Sequence, residues 1–265
     1  GSEGTLGIIT TIVFRLIPLP TKDITMLVPF SSVEKACEAV SAVFRAGIIP
    51  SALEFIERDA IDWTLKYTDV KLQINDDVKA HLLIEVDGNE MDILYKDCER
   101  IFEVMERFEC GEILLADSES QKNQIWKLRR AIGEAVKSNS IYKEEDTVVP
   151  RAELAKLLKG VKAIGKVYGF QSVCYGHAGD GNLHINIIKG KMSDVDWNTK
   201  LTLGIREIFE LTKKLGGTLS GEHGIGLVQK DYMDIVFSEK ALELQKGIKN
   251  LFDPKGILNP GKILK

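Results

Sequence analysis

A chain of 265 residues is long enough for one large domain or two smaller ones. Its apolar fraction of 44% predicts a sizeable core, and its net charge of −4 gives no reason to expect a nucleic-acid partner. No apolar run reaches the roughly eighteen residues of a membrane span. The four cysteines, Cys37, Cys98, Cys110 and Cys174, sit in apolar patterns without CxxC spacing. They read as buried free thiols of a cytoplasmic protein. The chain opens without a methionine or a basic leader, directly in GSEGTLGIITTIVFRL. A glycine-rich turn running into a β-branched stretch with nothing before it leads us to expect a piece of a longer protein.

Leu6 to Leu16 reads as a strand, ended by Pro18 and Pro20. Left unpaired, such an edge is free to join a second copy, so a homodimer is among the expectations. Ile24 to Phe30 is the next strand. Ser31 and Glu34 form a capping box for a helix reaching about Ala46. Ile49 to Phe55 is a short strand, Arg58 to Tyr67 a helix, and His81 to Val86 a strand. Ile93 to Phe108 carries Leu94, Cys98, Ile101 and Met105 at helical spacing, and Glu112 to Leu115 is a strand. The order from Ile24 to Leu115 is therefore that of a split βαβ, ferredoxin-like unit.

Ser120 to Val136 reads as a long helix with Trp126, Arg129 and Arg130. Thr147 to Val149 is a short strand and Arg151 to Tyr168 a helix. Two apolar runs, Gly169 to Tyr175 and His184 to Ile188, then suit strands joined by a loop over Ala178 to Leu183. Asp194 to Leu215 is a helix with Leu201, Ile205, Ile208, Thr212 and Leu215 on one face. A last helix, Glu239 to Phe252, presents Leu244, Ile248 and Leu251, and the tail FDPKGILNPGKIL is irregular. The second half repeats β-α-β-β-α. We expect an α+β fold: ferredoxin-like repeats sharing one antiparallel sheet, with helices on one face.

The chemistry concentrates in CYGHAGDGNLHIN, Cys174 to Asn186, which packs two of the four histidines, one aspartate and three glycines into thirteen residues. If the hairpin pairs His177 with His184, both imidazoles stand at its mouth. A second cluster, SGEHGIG from Ser220 to Gly226, adds Glu222 and His223 between glycines that free the backbone. Two imidazoles and a carboxylate form an open site for a divalent metal. Asp180 reads as the organiser of an Asx-type turn, Trp126 as core, and His81 as a structural strand histidine.

Three stretches converge: GSEGTLGIIT at the start, CYGHAGDGNLH with SGEHGIG, and FDPKGILNPGKIL at the end. Together they resemble the FAD-linked oxidase family of the vanillyl-alcohol oxidase type. Within it they are most similar to the C-terminal cap region of the branch holding the glycolate oxidase flavin subunit, D-lactate dehydrogenase and D-2-hydroxyglutarate dehydrogenase. The resemblance implies three parts. Residues 1–20 hold the last strand of an FAD-binding domain, 21–236 the cap that carries the substrate site, and 237–265 a helix and tail returning to the FAD domain. FAD would be held largely by an N-terminal domain that this chain lacks, leaving the piece inactive by itself. The implied reaction oxidises a small 2-hydroxy acid to the 2-oxo acid, with hydride transfer to FAD. The implied partner is an electron-acceptor subunit, an iron–sulfur protein or an electron-transfer flavoprotein. The alternative is a non-catalytic flavoprotein subunit or assembly module built on the same cap.

Residue by residue, the resemblance makes His177, His184 and Glu222 the ligands of a divalent metal, Zn or Mn. It makes His223 the catalytic base. Arg129, in IWKLRRAIGEAV, becomes the substrate-carboxylate arginine, and Asn186 a substrate neighbour. Gly4, Thr5, Gly7 and Ile8 fall where the backbone touches FAD, and Asn259 falls near the flavin ring. One segment departs. Where glutarate-type enzymes place a lysine before the VP dipeptide, this chain reads EEDTVVPR with Glu144 near that place. Its wording there is closer to glycolate and lactate dehydrogenases.

Overall fold

The computed structural model describes residues 1–116 and 118–264. Strands form where side chains alternate between two buried surfaces. In β1 (Lys22–Phe30) and β3 (Ala80–Gly88), Met26, Val28, Leu82 and Ile84 enter one core while Leu27 and Leu83 enter another. Between β1 and β3 come α1 (Val33–Arg45), β2 (Ala52–Glu57) and α2 (Arg58–Tyr67). After β3 come α3 (Met91–Glu106), β4 (Leu114–Ala116) and α4 (Glu119–Asn139). The cap of α1 is Ser32 rather than Ser31: its hydroxyl accepts from the Lys35 amide at 3.2 Å, the third residue of the helix, as N-cap geometry requires. Ser118 caps α4 in the same way, and Ser193 and Ser238 cap the later helices Asp194–Lys214 and Glu239–Phe252, each a contribution of about 1 kcal/mol.

The second half contributes β5 (Tyr142–Val148), α5 (Leu154–Tyr168), β6 (Gln171–Gly176), β7 (Asn182–Ile188) and α6 (Asp194–Lys214), followed by α7 (Met233–Val236) and α8 (Glu239–Phe252). All the strands join one antiparallel sheet in the order β4-β1-β3-β2-β6-β7-β5. The first four positions are a complete ferredoxin-like order. The second half supplies three strands, and the bridge Val148↔Thr218 stands where its fourth would be. The halves meet where β2 pairs with β6, through Phe55↔Gly176 and Ile56↔Tyr175. The two expected repeats on one sheet are thus present.

The placement of helices on one face needs correction. Helices α1, α3, α5 and α6 cover one face through Val40, Ile101, Val161 and Ile208, packed with Phe55, Cys174 and Ile185. Helices α2 and α4 cover the other, where Ile61, Leu128 and Ile132 pack on Ile56, Val173 and Tyr175. The reason lies in the central strands, which are apolar on both sides and so need cover on both.

Residues 7–21 form no strand, and Ile8, Val13, Phe14 and Leu16 are exposed. The strand expected over Leu6 to Leu16 is therefore corrected. β-branched composition yields a strand only beside a neighbour that completes the ladder, and no strand of the sheet pairs with this stretch. The last helix does present Leu244, Ile248 and Leu251, and α8 buries none of its side chains. No described helix is long and apolar enough to cross a membrane.

Candidate active site

The site sits on the α2/α4 face, at the end of the sheet where β2, β6, β7 and β5 run side by side. Antiparallel register aligns Ile56, Tyr175, His184 and Asp146 in one row across the four strands. Val173, Asn186 and Glu144 form the next row. His184 thus faces Tyr175, not His177 as the simple hairpin reading had it. His177 lies just past the end of β6, where Ala178–Asp180 makes a turn of 3-10 helix, and Asp180 lies in that turn. The two imidazoles still meet, with ring centroids 5.6 Å apart. β5 begins at Tyr142, five residues before the strand expected at Thr147, because the acidic run Glu144–Glu145–Asp146 is inside the sheet rather than in solvent.

Glu222 crosses over this floor on the loop after α6. Its Oε1 lies 3.2 Å from His177 Nε2 and 3.3 Å from His184 Nε2. His223 stacks on His184 at 5.0 Å between centroids, and its Nε2 is 4.0 Å from the same carboxylate oxygen. The loop is shaped by its amides. Those of Gly221, Glu222 and His223 donate to Asp146 Oδ2 at 2.9, 2.8 and 2.8 Å. Gly224 donates to Ser220 Oγ at 2.8 Å, and Ile225 and Gly226 donate to the two Glu3 oxygens at 2.7 and 2.8 Å. Six successive amides are thus turned onto two carboxylates and a hydroxyl, an anion-binding nest filled from within. Gly221 is required by close approach, since a Cβ there would lie 1.8 Å from Asn182 Nδ2.

Electrostatics follow from this packing. Burial pushes the Asp146 carboxyl up, but the amides of His223 and Glu222 outweigh it and hold Asp146 below the usual carboxylate range. Burial, with the neighbouring His223, Arg129 and His177 assisting against Asp146, depresses His184 to about 4, so its ring is neutral at physiological pH. His177 moves the other way: its hydrogen bond to Glu54 outweighs burial and raises it. Burial also raises Glu144. His184 Nδ1 has no hydrogen-bond partner among the described residues; Asp146 Oδ1 and Glu144 Oε1 are 3.7 and 3.8 Å away.

These residues fit a divalent cation. The ligand atoms of His177, His184 and Glu222 lie within 4.8 Å of one another. The 3.2 and 3.3 Å separations approach the roughly 3.4 Å edge of a tetrahedron with metal–ligand bonds of about 2.1 Å. Glu144, His184 and His223 form a second, overlapping group within the same limit.

Arg129 reaches the same floor from α4, 9% exposed, with its guanidinium 5.0 Å from the Tyr175 ring centroid. Its Nε donates to Glu54 Oε2 at 2.9 Å, and Nη2 lies 2.6 Å from that oxygen. Asn186 is buried in the row with Glu144, and its Nδ2 lacks a well-formed hydrogen bond among the described residues. Of the expected flavin-facing set, Gly4, Thr5 and Asn259 come together behind the 220–226 loop. Asn259 Nδ2 donates to Glu3 O at 2.7 Å, and Thr5 Oγ1 donates to Ser2 O at 2.7 Å. A cleft of about 660 Å³ between this turn and α8 has Glu222 on its wall. Gly7 and Ile8 lie apart from them in the stretch without secondary structure, with Ile8 80% exposed. Sequence reasoning missed Glu54, Asp146 and Glu3; the one available signal was Glu54 set between the apolar Leu53 and Phe55 inside the strand ALEFIE, which ends on a second carboxylate, Glu57.

Residues 19–263 match the model of the family described as FAD linked oxidases, C-terminal domain, and the chain belongs to that family. It is 33% identical over 268 residues to a D-lactate dehydrogenase of Anaerostipes hadrus, covering 99% of this chain and 56% of that protein. It is 34% identical to the glycolate oxidase subunit GlcD of Bacillus subtilis, covering 99% and 55%, and 32% identical to a D-2-hydroxyglutarate dehydrogenase of Stutzerimonas stutzeri, covering 99% and 57%. The chain thus spans just over half the length of these relatives. Its fold is shared with p-cresol methylhydroxylase, at a TM-score of 0.66 and 16% identity over 95% of this chain and 55% of that one. It is shared also with alkyldihydroxyacetonephosphate synthase, at 0.62 and 17% over 98% and 48%.

Proposed function

We propose that the chain is the substrate side of an FAD-dependent dehydrogenase for small 2-hydroxy acids of the glycolate or D-lactate type. In this reading residues 21–236 are the cap, while 1–20 and 237–265 border the flavin-binding half. The observation that carries it is Glu222 Oε1 set between the Nε2 atoms of His177 and His184 at 3.2 and 3.3 Å, with His223 stacked beside them. His177, His184 and Glu222 would hold a divalent cation, Zn²⁺ or Mn²⁺, and Gly4, Thr5 and Asn259 would border FAD. When bound, the cation acidifies a chelated hydroxyl and FAD accepts the hydride.

The chain's own residues divide the remaining work. His223, half-exposed on a pinned loop, accepts the hydroxyl proton at Nε2. Arg129 and Asn186 line the floor and orient the carboxylate. Glu144 and Asp146 make that floor acidic, which favours a substrate with one carboxylate over one with two. An iron–sulfur protein or electron-transfer flavoprotein is the proposed acceptor. The test is flavin reduction in the full-length protein with glycolate, D-lactate and D-2-hydroxyglutarate as donors. Reduction by one of the first two supports the reading, and no reduction by any 2-hydroxy acid overturns it.

A further inference from the structure

Glu54 has no place in the reaction just described, yet its side chain is 6% exposed and both of its oxygens are engaged. Oε2 accepts from Arg129 Nε at 2.9 Å, and Nη2 lies 2.6 Å away as an ion pair. Oε1 lies 2.8 Å from His177 Nδ1. The Arg129 guanidinium, always charged and paired with Oε2, calls for an ionised carboxylate at Glu54. An apolar residue would suit this strand, and a buried carboxylate is costly unless every oxygen is matched.

An ionised carboxylate only accepts, so the proton of a neutral His177 ring must lie on Nδ1. The lone pair is then left on Nε2, the atom that faces Glu222 Oε1 at 3.2 Å. We propose that Glu54 is a positioning residue: it fixes His177 as the Nδ1–H tautomer with Nε2 turned to the cation position, and it ties that ligand to Arg129 through one carboxylate. The inference rests on the metal reading above. His184 provides the internal contrast, because its Nδ1 has no hydrogen-bond partner among the described residues and depends on carboxylates 3.7 and 3.8 Å away. One ligand is therefore pre-oriented and the other is not. A second consequence concerns Arg129. Its Nε donates to Glu54 while Nη2 has no hydrogen-bond partner among the described residues, so what it can offer a substrate carboxylate is the Nη side of the guanidinium.

The test uses two readouts on the protein and its Glu54→Gln variant. Long-range ¹H–¹⁵N correlation at about pH 9, above the imidazole range, reads the tautomer of each histidine without metal. Competition titration reads the affinity for Zn²⁺ and Mn²⁺. The expected result is a dominant Nδ1–H form of His177 in the wild type and mixed tautomers in the variant. Cation affinity should fall about 10–100-fold, with His184 unchanged. Glu54→Gln strands the Arg129 charge and could unfold the chain. The double variant Glu54→Gln, Arg129→Met removes both charges and must show the same two changes. Wild-type tautomer and affinity in the folded variants overturn the role of Glu54 while leaving the metal site standing. A wild type that binds neither cation overturns the metal reading, and this inference with it.

Discussion

Asp146 holds Glu222 by the backbone: the Glu222 amide donates to Asp146 Oδ2 at 2.8 Å, flanked by the amides of Gly221 and His223 on the same oxygen. The ligand carboxylate is thus placed by a residue 76 positions away in sequence. Asp146→Asn keeps the shape but removes the charge that these amides converge on. Charge-assisted hydrogen bonds contribute about 1.5–3 kcal/mol each, without simple additivity, so the variant should lose about 2–3 kcal/mol. Chemical denaturation measures the loss, and hydrogen exchange at residues 221–223 should quicken. Unchanged exchange there would show that the loop does not depend on Asp146.

Cation binding should respond to pH through His177 first. The proton competes for Nε2, and the Glu54 hydrogen bond raises the affinity of this ring for protons above that of a free imidazole. Cation affinity therefore begins to fall while the pH is still above the ordinary imidazole value of about 6.5, and continues downward as the solution becomes more acidic. His184, depressed to about 4, contributes only near that pH. Mn²⁺ or Zn²⁺ titration between about pH 8 and 5 checks the profile. A double variant His177→Ala, His184→Ala that binds as the wild type does would remove the site altogether.

The repeat architecture was legible because it rests on local period. Helices such as Arg58–Tyr67 and Glu239–Phe252 show their bounds in apolar spacing and in a capping serine or a strand end. The histidines and Glu222 were legible because glycine-flanked polar residues in short loops have few structural uses. Glu54 and Asp146 were not, since a carboxylate inside a strand is explained only by partners that lie 36 to 123 residues away. Leu6 to Leu16 misled for the opposite reason: its composition suits a strand, but strand formation is a property of the neighbour as well.

Glu145 supplies a pH effect on stability independent of the histidines. It is fully buried on the face opposite the site, with Gln229 Nε2 donating at 3.4 Å and Lys143 4.0 Å away. Burial, only partly offset by Lys143 and Gln229, raises its carboxyl from 4.5 to about 7. The folded state therefore holds a proton that the unfolded state has released between those values. Stability is greatest below about 4.5 for this group and declines as pH rises to about 7, by at most about 3 kcal/mol. Urea midpoints at about pH 5 and 8 should differ in that direction, and Glu145→Gln should flatten the difference. An equal slope in the variant would assign the effect to other groups.

The proton-accepting role of His223 can be separated from metal ligation because the loop is held by backbone and not by the imidazole. The His223 amide donates to Asp146 at 2.8 Å, as do the amides before it, so His223→Ala leaves Glu222 where it is. Among the described residues the ring stacks on His184, approaches Glu222 at 4.0 Å and has Glu144 within 4.8 Å. Loss of a positioned base lowers rates by about 10²–10⁴. In the full-length protein His223→Ala should cut flavin reduction by a 2-hydroxy acid by that order, while metal content stays at the wild-type level. Stopped-flow flavin absorbance and elemental analysis on the same preparation give both numbers. Metal lost together with rate would make His223 a ligand, through the group it forms with Glu144 and His184. Near-normal flavin reduction would show that another group takes the proton.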